Sequence, residues 1–425
     1  ELVRVLAAEG PVIVVDDGSR DGSAERAATA GARVIANAGR PGPAGARNTG
    51  LRAAETELAA FVDADCVVAP GWRRGLAELL AADPEMAIVA PRVRSRPADS
   101  ACGPGGLLAA DRQVAMVGPW ARSSRADSTC GSEPGLGAPR ARSGTVESVL
   151  ARYEEGNSPL DLGAAPSLVG PGRRVAYLPA AALLARRDAL LELGGFDESM
   201  RFGEDVDLVW RLLAAGGQAR YVPAREVIHR PRPTLRALIA QRAGYGSSAP
   251  HLRRRHGAAV SPLRLNRHSA AIWSVAALRP RLAPVALAAS VAIVASRGSD
   301  AQARLGLAEV ALRGQLDGAG HLTRALAREW LPLSLAAGVA CRRARHPLAV
   351  ALLLGTLGGP IESIALHAVD QGAYAAGLWR EMVAQREFGA ILLSWGLDGR
   401  RISIRQHPMR RGVAKAVDAG PTRVF

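Results

Sequence analysis

Lysine is almost absent from this chain of 425 residues: Lys415 is the only one, and arginine supplies 53 of the 54 basic side chains. Aromatic residues make up only 4%, and alanine carries much of the 48% that is hydrophobic. Such an arginine- and alanine-heavy composition is often a coding bias, so the net charge of +15 does not by itself identify a partner. Cysteine is scarce too. Cys66, Cys102, Cys130 and Cys341 form no Cys-x-x-Cys pair, and no histidine stands at zinc-finger spacing, which excludes a structural zinc module. Cys102 and Cys130 flank a Gly/Ser/Pro-rich stretch and could pair in an oxidising compartment, but reduced thiols in a cytosolic chain are expected. No secretory signal and no internal repeat is visible. The chain opens at Glu1 rather than methionine, so a preceding natural segment is expected.

Acidic residues are missing from one long stretch. None lies between Glu226 and Asp300, where 12 arginines fall. Such a segment should be drawn to phosphates or to an anionic membrane face. Its arginines have few interleaved aromatics and match no recognisable module, so nucleic acid is not an expected partner. Long apolar runs are missing as well. The stretches 282–296, 330–341 and 347–357 fall short of the ~20 residues a membrane-spanning helix requires. Arginines bracket them, which suits interfacial or re-entrant helices on a membrane surface, or buried helices of a C-terminal domain.

What is present is concentrated in the first 230 residues. Residues 12–15 are a continuous β-branched run, as in a buried parallel strand, and end in Asp16-Asp17-Gly18-Ser19. A helix over 24–30 with Ser23 as N-cap follows, then a strand at 33–36, a Gly/Pro-rich loop, a helical turn at 46–54 and a strand at 58–62. Strand, helix, strand, helix, strand with short links predicts a parallel α/β sheet. A helix opened by Pro70-Gly71-Trp72 and a fourth strand at 86–90 come next. Periodicity is lost over 95–145, which reads as a flexible surface insertion. Order returns with strands near 167–169, 175–179 and 181–186, a helix over 188–193, a helix starting about Glu204-Asp205, and strands to His229. The chain therefore divides into an α/β domain, 1–230, and a basic helical region, 231–425.

Three carboxylate clusters punctuate the α/β part: Asp16-Asp17, Asp63-Ala64-Asp65 and Glu204-Asp205. Side chains at i and i+2 of a strand share a face, so Asp63 and Asp65 could converge at a strand's carboxyl end, where open α/β sheets keep their crevice. Two hard oxygen donors there suit Mg²⁺ or Mn²⁺ carrying a diphosphate. Asp-x-Asp alone is common by chance, and any one cluster could be a solvated turn or an N-capping pair. Three beside Gly-rich turns are hard to explain as packing, because unpaired carboxylates are costly in a core.

Val14-Val15-Asp16-Asp17-Gly18-Ser19, Ala44-Gly45-Ala46-Arg47-Asn48-Thr49-Gly50, 61–65, Gly194-Gly195-Phe196-Asp197 and Gly203-Glu204-Asp205-Val206-Asp207-Leu208 follow in the order and spacing of the family 2 glycosyltransferases, which the chain resembles from Pro11 to about His229. Within that family, Tyr177-Leu178-Pro179-Ala180-Ala181, the Asp-Leu-Val-Trp-Arg core at 207–211, Tyr245-Gly246-Ser247-Ser248-Ala249-Pro250 and Arg255-His256 resemble the branch that serves mycofactocin biosynthesis.

The resemblance implies a GT-A fold, with a mostly parallel sheet flanked by helices and a helical C-terminal region. It implies inverting transfer from a UDP-sugar held by Mg²⁺ or Mn²⁺. The acceptor would be a small peptide-derived redox cofactor, with glucose from UDP-glucose as the sugar. Asp16 or Asp17 would take hydrogen bonds from the base, and Arg47 would offer its fork to base or diphosphate. Asp63 would hold ribose or metal, Asp65 the metal directly, and His229 would be a further ligand or an ordinary hydrogen-bonded loop histidine. Asp205 would be the base that inversion requires, with Glu204 positioning substrate or shaping the base's surroundings. Trp210 and Arg211 could line the acceptor site, although the place of Trp210 on an amphipathic helix favours the core.

Two departures qualify this. The family normally begins with another strand that helps bind the base, and this chain starts after it. The Gln-x-x-Arg-Trp motif of processive members is absent, which disfavours a polymer synthase with a membrane channel. A membrane-associated transferase at the cytoplasmic face, using lipid or cell-wall acceptors, and a non-catalytic degenerate GT-A binding protein are the competing readings.

Overall fold

A computed structural model of the chain describes residues 1–96, 114–120, 146–232, 234–265, 267–356 and 363–395. The first elements are α1 (Leu2–Ala7), β1 (Val12–Asp16), α2 (Ser23–Thr29), β2 (Arg33–Ala36), α3 (Pro43–Ala53), β3 (Leu58–Val62), β4 (Cys66–Val68), α4 (Arg74–Ala82) and β5 (Met86–Ser95). After them come β6 (Val114–Trp120), α5 (Val146–Asn157), β7 (Ser167–Leu168), β8 (Ala182–Arg186), α6 (Arg187–Glu192), α7 (Glu204–Ala214) and β9 (Gln218–His229). These strands form one nine-stranded sheet in the order β2-β1-β6-β3-β8-β5-β9-β4, with β7 on β9. β2, β1, β6 and β3 are mutually parallel, β8 runs against β3 and β5, β5 and β9 are parallel, and β4 and β7 run against β9. The sheet is thus mixed, not parallel throughout, with most strands in one direction.

Period-two alternation places both faces of the central strands in apolar surroundings. Ile13 and Val15 of β1, Phe61 of β3 and Leu183 of β8 enter one core with Leu208, Val209 and Leu212 of α7. Val12, Val14, Val62 and Leu184 enter the other, with Leu76 and Leu80 of α4. The apolar spacing of α7 therefore presses the helix onto the sheet and leaves its first turn, with Glu204 and Asp205, at the rim.

Several local expectations are corrected. Helix α2 includes Ser23 and is preceded by Gly22; Asp21, not Ser23, accepts the backbone N–H at the helix start. Residues 175–179 form only an isolated bridge, Val169 to Val175. Within the stretch read as an insertion, β6 is a strand that pairs with β1 and β3 on its two sides. The Gly- and Ser-rich flanks masked its short apolar run, and the slot it fills would otherwise leave two buried strands with unpaired backbone groups. Apart from Ser95 and Arg96, the remainder of that stretch, with Cys102 and Cys130, lies outside the described residues.

The later elements are α8 (Leu235–His256), β10 (Arg264–Leu265), α9 (Arg267–Leu278), α10 (Ala283–Ala295), α11 (Ala301–Ala327), α12 (Leu331–Ala340), α13 (Arg342–Thr356), α14 (Ile364–Gln385) and β11 (Ser394–Trp395). The short strands β10 and β11 pair in parallel. Helices α8 and α14 cross closely because Gly246 lies against the Tyr374 carbonyl and Gly377 against that of Ala243, where no Cβ fits. Among the described residues, no helix is long and apolar enough to cross a membrane.

Candidate active site

The site is assembled around Arg47, on a helix whose residues 44–51 are all buried. Its Nη1 donates to Glu204 Oε1 at 2.5 Å and its Nη2 to Asp63 Oδ1 at 2.9 Å. One guanidinium thus joins the end of β3 to the start of α7. Burial alone would lower the Arg47 pKa, but Asp63 and Glu204 beside it outweigh burial and hold it above its ordinary value. The fork expected to face base or diphosphate is therefore directed to two carboxylates of the protein itself.

Neighbouring side chains of α3 fix the adjoining loops. Asn48 donates to the Phe196 carbonyl at 2.8 Å and to Glu198 Oε1 at 2.9 Å, and its Oδ1 accepts from Phe196 N–H at 2.8 Å. This grip explains Gly195, whose φ of 72° and closeness to the Asn48 side chain leave no room for a Cβ. Thr49 accepts from Ala38 N–H and donates to Asn37 Oδ1. Asn48 went unnoticed in the sequence as a positioning residue, although it lies inside the Arg47-Asn48-Thr49-Gly50 motif.

Asp63 and Asp65 do not share a strand face. Strand β3 ends at Val62, and Asp63 begins a tight turn in which its carbonyl accepts from Cys66 N–H at 3.0 Å. The two carboxylates consequently meet different partners. Asp63 meets Arg47. Asp65 Oδ2 lies 3.3 Å from His229 Nε2 and 3.6 Å from Arg232 Nη1. His229 reaches Asp65 because β9 runs antiparallel to β4 with Cys66 opposite His229. Burial acts to raise the Asp65 pKa, but His229 and Arg232 prevail and keep it below the usual carboxylate value. Its Oδ1 is buried and has no hydrogen-bond partner among the described residues. Such an orphaned carboxylate oxygen suits a hard cation. No cluster of three or more His, Cys, Asp or Glu side chains among the described residues could enclose one. That donor set fits Mg²⁺ or Mn²⁺ completed by water and phosphate oxygens, and does not fit an all-protein cage.

On the other side of Arg47, Glu204 and Asp205 occupy the first turn of α7. Burial raises both carboxyls, with Glu204 pushed up to about 7 despite the Arg47 charge. Asp205 Oδ2 accepts from Ala180 N–H at 3.1 Å and its Oδ1 from Val206 N–H at 2.8 Å. Asp205 remains partly accessible, whereas Glu204 is buried and locked to Arg47.

Asp17 and Asp16 differ more than their adjacency suggests. Asp17 accepts from Asn37 Nδ2 at 2.7 Å and from Gly42 N–H at 2.8 Å, which ties two loops together. Among the described residues the Asp16 carboxylate takes one hydrogen bond, from Ser19 N–H at 3.0 Å. Of the two, Asp16 retains more capacity for a ligand. Trp210 is buried and donates to the Ala176 carbonyl, in keeping with a core role. Asp207, which sequence reasoning left without a role, is fully buried among Arg211 Nε at 2.7 Å, Arg255 Nη1 at 2.8 Å and His256 Nε2 at 2.9 Å.

The glycosyl transferase family 2 model matches residues 9–106, and the glycosyl transferase family group 2 model matches residues 162–303. The pre-mycofactocin glycosyltransferase of Mycobacterium tuberculosis is 33% identical over 404 residues, covering 89% of this chain and 76% of that protein. The N-acetylglucosaminyl-diphospho-decaprenol L-rhamnosyltransferase of the same organism is 48% identical, over 58 residues, 13% of this chain and 19% of that one. Among solved structures, a mannosyltransferase from Pyrobaculum calidifontis in complex with GDP-Man and Mn²⁺ aligns over 91% of this chain and 85% of that one, at 17% identity and a TM-score of 0.41.

Proposed function

Since the chain belongs to glycosyl transferase family 2, we propose that it transfers a sugar, with inversion, from a nucleoside diphosphate-sugar donor to a mycofactocin precursor. Glucose from UDP-glucose is the donor this reading names. The single observation that carries the site assignment is the Arg47 bridge, which brings Asp63 and Glu204 together from positions 16 and 157 residues away.

In this reading Asp16 accepts a hydrogen bond from the base, Asp63 faces the ribose or the metal, and Asp65 with His229 forms the protein's part of a divalent-cation site. Mg²⁺ or Mn²⁺, when bound, would offset the negative charge that gathers on the departing diphosphate. Asp205 takes the proton from the acceptor hydroxyl. The hydroxyl oxygen forms its bond to the anomeric carbon from the face opposite the leaving group. The bond from that carbon to the phosphate oxygen breaks, and the nucleoside diphosphate leaves with the electron pair. Burial, by raising the Asp205 pKa, makes it a stronger proton acceptor than an exposed aspartate. Glu204, held by Arg47, shapes that environment without needing to move.

A screen of UDP- and GDP-sugars with Mn²⁺, read as nucleotide release with and without the precursor, tests this function. Acceptor-dependent release is expected with UDP-glucose. Asp205→Asn should lower kcat by about 10²–10⁴ with donor binding retained, and Asp65→Ala should abolish the metal-dependent turnover. Turnover of no nucleotide sugar would sink the transferase reading. Release with a polyprenyl-diphosphate acceptor but not the precursor would favour a lipid-acceptor transferase, which the local similarity to the rhamnosyltransferase favours.

A further inference from the structure

Helices α10 and α12 are built inside out. Polar residues are scarce in both: Ser290, Oγ facing Gln315 Nε2 at 3.4 Å, is the one polar residue of α10, and Ser334 is the one of α12. Each is buried, 2% exposed for Ser290 and 4% for Ser334. Gln315 belongs to α11, and Ser334 Oγ donates to the Leu326 carbonyl at 3.1 Å. The outward positions are apolar without exception. On α10 they are Pro284, Val285, Ala288, Ala289, Ala292 and Ile293, spaced as one helical face. On α12 they include Leu333, Leu335 and Val339, and on the later turns of α13 Val350 and Leu354. Val285 is 65% exposed and Val339 77%. A helix facing water should show the reverse pattern, and exposed apolar faces of this kind mark an interaction site.

Helix length and charge indicate what covers it. At about 1.5 Å per residue, the 13 residues of α10 and the 10 of α12 extend about 20 and about 15 Å. That is about the depth of one leaflet and well short of a ~30 Å hydrocarbon core. None of α10, α12 and α13 contains an acidic residue, while exposed Arg281 and Arg297 stand at the ends of α10 and exposed Arg342 and Arg343 open α13 next to the end of α12. A second copy of this chain would set these arginine rims against each other. An anionic lipid surface complements them.

We propose that α10, α12 and the later turns of α13 form a monotopic docking face that enters one leaflet of an anionic membrane. The apolar faces lie among acyl chains and the four arginines meet lipid phosphates. This inference stands apart from the transferase chemistry, so either can fail without the other.

Flotation of the full chain with vesicles tests it, comparing phosphatidylcholine alone with phosphatidylcholine containing phosphatidylglycerol. The wild type should float with the mixed vesicles and much less with phosphatidylcholine alone. Replacing Val285, Ile293, Leu335 and Val339 together by Glu should abolish flotation. Replacing Arg281, Arg297, Arg342 and Arg343 by Gln should weaken binding to mixed vesicles by on the order of a hundredfold or more and leave the melting temperature unchanged. This second variant keeps the test decisive if the first does not fold. A wild type that binds neither vesicle overturns the proposal, as does one whose binding the arginine variant leaves unaltered. A dimer seen by light scattering, broken by the glutamate variant, with no vesicle binding would assign the face to a second copy instead.

Discussion

Arg47 meets two carboxylates with the two arms of one planar group, and no other side chain can do so in that space. Lysine would reach either Glu204 or Asp63 but not both, leaving one carboxylate unpaired in a largely buried site. Arg47→Lys should therefore destabilise the protein by about 3 kcal/mol, measured by denaturant unfolding. Its pH dependence follows from Glu204, whose folded pKa of about 7 lies above the ordinary 4.5. Between those values the folded state binds more protons than the unfolded one, so wild-type stability should fall as pH rises from about 4.5 to about 7. Loss of the full Arg47 pairing raises Glu204 further. In Arg47→Lys the fall should be larger and extend above pH 7, and an unchanged slope would contradict the bridge. Arg47 was legible in the sequence as a candidate site residue, but its partners were not, because sequence spacing carries no information about contacts across 157 residues.

At the scale of elements, α7 is docked onto α8 through one carboxylate. Arg255, His256 and, from within α7, Arg211 surround Asp207, whose pKa falls to about 2 although burial opposes the shift. From the ordinary 3.8 down to about 2 the folded state binds fewer protons than the unfolded one. The contribution, about 2 kcal/mol, is fully present above pH 4 and is lost as pH falls through that window. Asp207→Asn should remove this acid-sensitive part and cost about 3 kcal/mol at neutral pH, because three cationic or hydrogen-bonding groups lose their partner. Thermal melts at pH 7 and pH 3 would show the difference between the two proteins narrowing in acid. The crossing of α8 and α14 rests on backbone proximity. A methyl group at Gly377 would strike the Ala243 carbonyl, so Gly377→Ala should force the helices apart and destabilise by about 2 kcal/mol. A melting temperature equal to that of the wild type would disprove close packing there.

For the whole molecule, the divalent cation proposed at Asp65 would serve substrate and not fold, because no all-protein cage surrounds that position among the described residues. Chelation should abolish transfer while leaving the melting temperature of the donor-free protein unaltered. Adding Mn²⁺ with UDP should raise it, by about 2.7 kcal/mol of stability at a hundredfold excess over Kd. A drop on chelation alone would mean a structural ion. The α/β character, the strands at 12–15 and 58–62, and the carboxylate clusters followed from the sequence itself. Buried parallel strands are uniformly apolar, and charge at their ends is conspicuous against that background. Motif order likewise determined the family. Tertiary structure decided what pairing and direction control. It put β6 between β1 and β3, because unpaired strand edges draw in a segment whose local composition resembles a loop. It separated Asp63 from Asp65, because a turn instead of a strand follows Val62. It also turned the apolar sides of α10 and α12 outward, since hydrophobicity read along a helix gives the width of an apolar face but not the direction in which that face points.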